Sequence, residues 1–146
     1  MTKQAKPKSL IIHSSEIPFV GAPFNEGHKE GLIQYLIDEE SVGARRLKVM
    51  LQKYPPGGTT SERSHPHLEQ AYFILRGRMH VRVDTAEFHA GPGDLVFIPR
   101  NTLHSHATLG RDSLLFLTIN CRWEDSPKLI ELRREGGNTG VTRENG

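Results

Sequence analysis

Between Gly31 and Asn120 the chain is cut into short β-favouring runs by glycine- and proline-bearing turns, and this punctuation constrains the fold more than any other feature. Gly31-Leu32-Ile33-Gln34-Tyr35-Leu36-Ile37 ends in the acidic turn Asp38-Glu39-Glu40. Leu47, Val49 and Leu51 alternate with Lys48, Met50 and Gln52, the period of a half-buried strand. Tyr54-Pro55-Pro56-Gly57-Gly58 stops that run. Ala71-Tyr72-Phe73-Ile74-Leu75 is apolar at every position, as a strand covered on both faces must be, and Gly77 turns it into the alternating Met79-His80-Val81-Arg82-Val83. Gly91-Pro92-Gly93-Asp94 leads into Leu95-Val96-Phe97-Ile98-Pro99, and Leu114 to Ile119 is the last strong run. Fourteen glycines and nine prolines suit that many turns. The spacing predicts an all-β antiparallel sandwich or barrel. Helix is expected only near the C-terminus, from an N-capping Ser126 and Pro127 to a stop before Gly136.

A chain of 146 residues can bury one core. The lysine-rich segment 1–9 and the glycine-rich polar segment 136–146 read as flexible tails around one domain over 10–135. A formal net charge of +2, with no basic stripe interleaved with aromatics, argues against a nucleic-acid partner. The apolar run Leu10-Ile11-Ile12 is too short for a secretory signal or a membrane span. Cys121 is the sole cysteine, so no internal disulfide forms and a reducing, cytoplasmic setting is the expectation.

Candidate chemistry rests on histidines. His65 and His67 lie just before one predicted strand, and His104 and His106 just after another. Residues two apart on an extended chain point the same way, so each pair offers two imidazoles to one face. Imidazole is a common ligand of zinc, iron and nickel. Polar loop residues with no ligand are the alternative. His80 and His89 read as solvated, and His13 and His28 lie apart from both pairs. No nucleophile elbow or phosphate loop is present, and Cys121 has no activating neighbour in sequence.

These motifs resemble those of the cupin superfamily. Its first motif lies over Gly57 to Gly77: Gly57, His65 and Gly77 match, while Arg63 stands in the place of a histidine and Gln70 in that of a glutamate. Its second lies over Gly93 to Thr108: Gly93, Pro99 and His104 match, while Asn101 and Thr108 depart. The resemblance spans roughly residues 45 to 120 and implies a double-stranded β-helix, or jelly-roll, barrel. It also implies one divalent ion (zinc, iron, manganese or nickel) in the barrel mouth, usually on three histidines and a glutamate. Carried over position by position, the set here is His65, Gln70 and His104, and a register in which 63, 65 and 67 share a face would add His67. His106 and Glu69 are reserve ligands, with His106 and Tyr72 expected to line the pocket.

Neutral imidazoles and an amide would leave a divalent ion its full charge, and Arg63 adds another positive group. An anionic, oxygen-rich guest such as a carboxylate or enolate would then be favoured, with Arg63 as its fork. The competing placement turns Arg63 out to pair with Glu62 or Glu69. The resemblance thus implies a metal-dependent enzyme on a small anionic molecule, with dioxygenase-, isomerase- or cyclase-type chemistry. The alternative is a binding module without catalysis. A homodimer is expected too, since Phe73 and Leu75 form a second apolar face that another subunit could cover.

Overall fold

Side-chain alternation decides which half of each strand is inside. The computed structural model describes residues 11–22 and 31–122. Its strands are β1 (Val20–Gly21), β2 (Leu32–Ile37), β3 (Leu47–Tyr54), β4 (Leu68–Arg76), β5 (Arg78–Val83), β6 (Ala86–Ala90), β7 (Leu95–Ile98), β8 (His104–Leu109) and β9 (Leu114–Arg122). One sheet runs β1-β2-β3-β9-β4-β7 and the other β6-β5-β8. Every pairing is antiparallel. The two sheets close into the antiparallel barrel that the turn spacing predicts. The helix expected from Ser126 and both tails lie outside the described residues.

Every second residue of β4 (Leu68, Gln70, Tyr72, Ile74) is buried, as are Leu114, Phe116, Thr118 and Asn120 of β9. Together with Tyr54, Met79, Val81 and Ile98 they fill the space between the sheets. Complete burial of a side chain such as Phe116 contributes roughly 1.5–3 kcal/mol. Gly77 joins β4 to β5 at φ +78°, where a Cβ would collide with the Ser113 carbonyl, so this turn requires glycine.

Three features go beyond the sequence reading or refine it. In β3 the inward residues are Met50, Gln52 and Tyr54, whereas Val49 and Leu51 face out opposite Ile119 and Leu117. Alternation by itself says that two faces exist; the pairing of Gln52 with Phe116 and Tyr54 with Leu114 decides which one is inside. The segments 86–90 and 104–109 are strands as well. Their apolar alternation is weak because β6 is largely exposed and the buried positions of β8 are His104, His106 and Thr108. Finally, Asp38-Glu39-Glu40 opens a helical turn, α1 (Glu39–Val42), rather than a plain turn. Asp38 Oδ1 accepts from the Ser41 amide at 2.7 Å and Ser41 Oγ from the Asp38 amide at 3.1 Å, a closed capping box. Among the described residues no helix is long and apolar enough to cross a membrane.

Candidate functional site

The first histidine segment is brought to the second by backbone bonds. The Arg63 amide donates to the His104 carbonyl at 3.0 Å, the His104 amide donates back at 2.8 Å, and the Asn101 amide donates to the His65 carbonyl at 3.0 Å. The stretch before β4 is thereby pinned across the start of β8, and the rings of His65 and His104 come to 4.9 Å between centroids. The sequence reading treats these two as ligands on separate hairpins, and the fold places them side by side.

A backbone carbonyl sets the tautomer of His104. Its Nδ1 lies 2.9 Å from the Thr102 oxygen, and since a carbonyl can only accept, Nδ1 carries the hydrogen and Nε2 the lone pair. Nε2 of His104 and Nδ1 of His65 are both buried and have no hydrogen-bond partner among the described residues. Burial, the neighbouring His104 and the Arg63 charge push the His65 imidazole down to about 3. Burial also lowers His104, against the opposing Thr102 hydrogen bond and with help from Arg63. Both rings are neutral at physiological pH. A neutral imidazole with an exposed lone pair is the form that ligates metals.

Arg63 lies beside this pair. Its Nε is buried without a partner among the described residues, and Nη2 reaches the Ser61 hydroxyl at 3.4 Å. Burial lowers its own ionisation. Burial raises Tyr54 and Tyr72, while the Arg63 charge opposes the rise in both. Glu62 is taken by Arg82, at 3.4 Å. Glu69 lies opposite Cys121, on the outer face of the sheet.

His106 faces the same interior as His104 but one step deeper. Its ring stands 4.8 Å from Tyr54, 5.7 Å from Tyr72 and 5.1 Å from Phe116. Gln70 and Tyr72 belong to a hydrogen-bonded ladder under the mouth. Tyr72 Oη donates to Gln70 Oε1 at 2.8 Å, and Gln70 Nε2 donates to Asn120 Oδ1 at 2.8 Å. One level over, Gln52 Nε2 donates to Thr118 Oγ1 at 2.6 Å and Tyr54 Oη reaches Gln52 Oε1 at 3.4 Å. His67 is buried just before β4. On the outside, His80 and His89 lie opposite one another, with ring centroids 5.6 Å apart.

The orphaned nitrogens of His65 and His104 are donors that suit a divalent ion. Among the described residues no three His, Cys, Asp or Glu side chains are grouped to hold one. Thr102, which orients His104 through its main chain, and the Asn120–Thr118 side of the ladder were missed by motif reading. A backbone carbonyl leaves no residue-type signal, and Thr118 and Asn120 become informative only once β9 is paired with β3 and β4.

Comparison with known proteins accords with this geometry. Residues 50–120 match the family described as Cupin domain. A β-D-galactosidase of Mycobacterium tuberculosis is 33% identical over 110 residues, covering 75% of this chain and 91% of that protein. The polyketide cyclase RemF of Streptomyces resistomycificus superposes with a TM-score of 0.69 at 25% identity, over 77% of this chain and 79% of that one. A predicted oxalate decarboxylase of Thermotoga maritima superposes with a TM-score of 0.70 at 23% identity, over 77% and 99%, a likeness of fold. Barrel, motif positions and relatives agree, and the chain belongs to the cupin family.

Proposed function

We propose that this protein is a metal-dependent enzyme acting on a small anionic, oxygen-rich organic molecule, with isomerase-, cyclase- or dioxygenase-type chemistry. The observation that carries the reading is the His65–His104 pair: two buried, neutral imidazoles 4.9 Å apart, each with a ring nitrogen that no described residue satisfies. Buried polar atoms in native proteins are rarely left unpaired, and exceptions mark places where something else binds. His65 and His104 would hold the ion. Gln70 would add the second lone pair of its Oε1, the first being taken by Tyr72. His67 would have to move in toward the pair to be the fourth ligand, since no three histidines are grouped among the described residues. A divalent ion there would supply Lewis acidity. Arg63 would fork the anionic group of the guest, and Tyr72 and His106 would line the floor. The cyclase RemF, at 25% identity, supports placing the reaction among carbon-skeleton chemistry on this barrel.

The galactosidase relative raises glycoside hydrolysis as a competing activity. That chemistry ordinarily employs two carboxyl groups flanking the scissile bond. The buried polar side chains among the described residues are glutamines, histidines, threonines, an asparagine and an arginine, so this interior favours an anion over a neutral glycoside. A second reading, a binding module without catalysis, is favoured by the lack of a three-ligand group among the described residues and by Arg63 beside the pair. In either reading the half-buried outer face around Leu51, Phe73 and Leu117 is where a second copy would pack to form a homodimer, which sedimentation would read out.

Metal analysis of protein isolated without added metal separates the two. The enzyme reading expects one divalent ion per chain, lost in His104→Ala. Arg63→Ala should retain the ion and weaken binding of a small carboxylate by roughly 1.5–3 kcal/mol, a charged hydrogen bond's worth. Metal-free protein that still binds the carboxylate would leave the binding module standing.

A further inference from the structure

β6 and β7 leave the Gly91–Asp94 turn into different sheets, and among the described residues neither is continued by another strand on its outer side. Where they splay, a cavity of about 640 Å³ opens between the sheets, with Val81, Val83, Phe88, Ala90, Val96 and Pro99 in its wall. Its two ends differ in charge. At the turn end stands Asp94, whose carboxylate accepts from the Gly91 amide at 2.8 Å. At the other end stands Val83, the direct cross-strand partner of His104. Directly opposed residues on one face of an antiparallel pair have adjacent side chains, so the apolar cleft begins beside the His104 ring. Pro99 closes the same end, just before Asn101, which is bonded to His65. In the middle of the barrel Tyr54, Tyr72, His106 and Phe116 pack ring against ring.

We infer that the guest of this site is amphipathic: an anionic head lies at Arg63 and the His65–His104 pair, and an apolar, ring-sized body lies in the cleft between β6 and β7. This rests on the proposed anion site and adds the class of molecule it takes. The charge arrangement sets the direction, since Asp94 repels an anion from the turn end while Arg63 attracts it to the mouth. The lining sets the body, since apart from His89 and Asp94 it is valine, leucine, alanine, proline and phenylalanine, which gain from burying hydrocarbon more than from a sugar's hydroxyls. Phe88 is 53% exposed although it faces the cleft, as expected of a wall residue whose cover is a ligand.

The test uses the full chain and three probes followed by NMR titration: acetate as head alone, 2-naphthoate as head with body, and 2-naphthalenemethanol as body alone. 2-Naphthoate should bind roughly 30-fold more tightly than acetate, from burial of its rings, and more tightly than the alcohol. Phe88→Asp should remove most of that gain and leave acetate unchanged. Phe88→Ala, a milder change at the same exposed position, should remove part of it. Arg63→Ala should weaken both acids. Equal affinity for acetate and naphthoate, or naphthoate binding untouched by both Phe88 variants, overturns the cleft while an Arg63 dependence keeps the anion site. Acid binding indifferent to Arg63, or an alcohol that binds as well as naphthoate, overturns the anion site beneath it.

Discussion

Two polar regions share the inside of this barrel and are built on opposite terms. In the ladder, Gln52 is bonded to Thr118, Gln70 to Asn120, and Tyr72 to Gln70, so these buried amides and hydroxyls have donors matched to acceptors. At the mouth, His65 Nδ1, His104 Nε2 and Arg63 Nε are equally buried and lack a hydrogen-bond partner among the described residues. A satisfied buried network rigidifies the core and is costly to disturb, whereas an unsatisfied one is a standing cost that only a ligand, ion or water relieves. The ladder therefore reads as structure and the mouth as function, although the same residue types occur in both. The ladder also ties strands together, since Gln52–Thr118 links β3 to β9 and Gln70–Asn120 links β4 to β9 in the observed registers.

The contrast is open to direct attack. At neutral pH the largest effect on stability should come from the ladder. Thr118→Val keeps the shape but leaves Gln52 Nε2 without its acceptor, so unfolding in denaturant should show a loss of about 1–3 kcal/mol, with metal content and anion binding unaltered. A neutral result would mean the ladder is no more than packing. At the mouth the effect should depend on pH instead. His65 titrates near 3 in the folded chain, below the usual value of an unfolded histidine. Between those two values the unfolded state binds the extra proton, so stability of the metal-free protein should rise with pH from about 3 to about 6.5 and level off above. His65→Asn should flatten that slope. A slope unchanged in the variant would assign the acid loss to other groups. The smallest effect concerns Arg63, whose charge helps hold both imidazoles down. In metal-free Arg63→Ala the His104 ring should titrate at higher pH by NMR, with little change in global stability. No movement of that titration would show that the guanidinium lies too far from the pair to act on it.

Much of this was legible before any coordinates. Turn residues marked one end or both of β3, β4, β5 and β7, because glycine and proline act locally. His65 and His104 stood out by motif position alone. The segments 86–90 and 104–109 escaped, because a strand whose buried face is polar or whose faces are mostly wet has no apolar period to detect.

What the sequence determined by itself is therefore the set of local choices: all-β class, turn positions, family, and the residue types available at the mouth. The tertiary structure decided how they are used. Period two says that His104 and His106 share a face, but only the crossing of the His65 segment over β8 makes His104 the partner of His65 and leaves His106 among Tyr54, Tyr72 and Phe116. The same holds for the inward face of β3 and for the Thr102 carbonyl that fixes the His104 tautomer. Alternation is a property of one strand, whereas which face is buried and which ring nitrogen is left with a lone pair depend on groups distant along the chain or on the main chain itself.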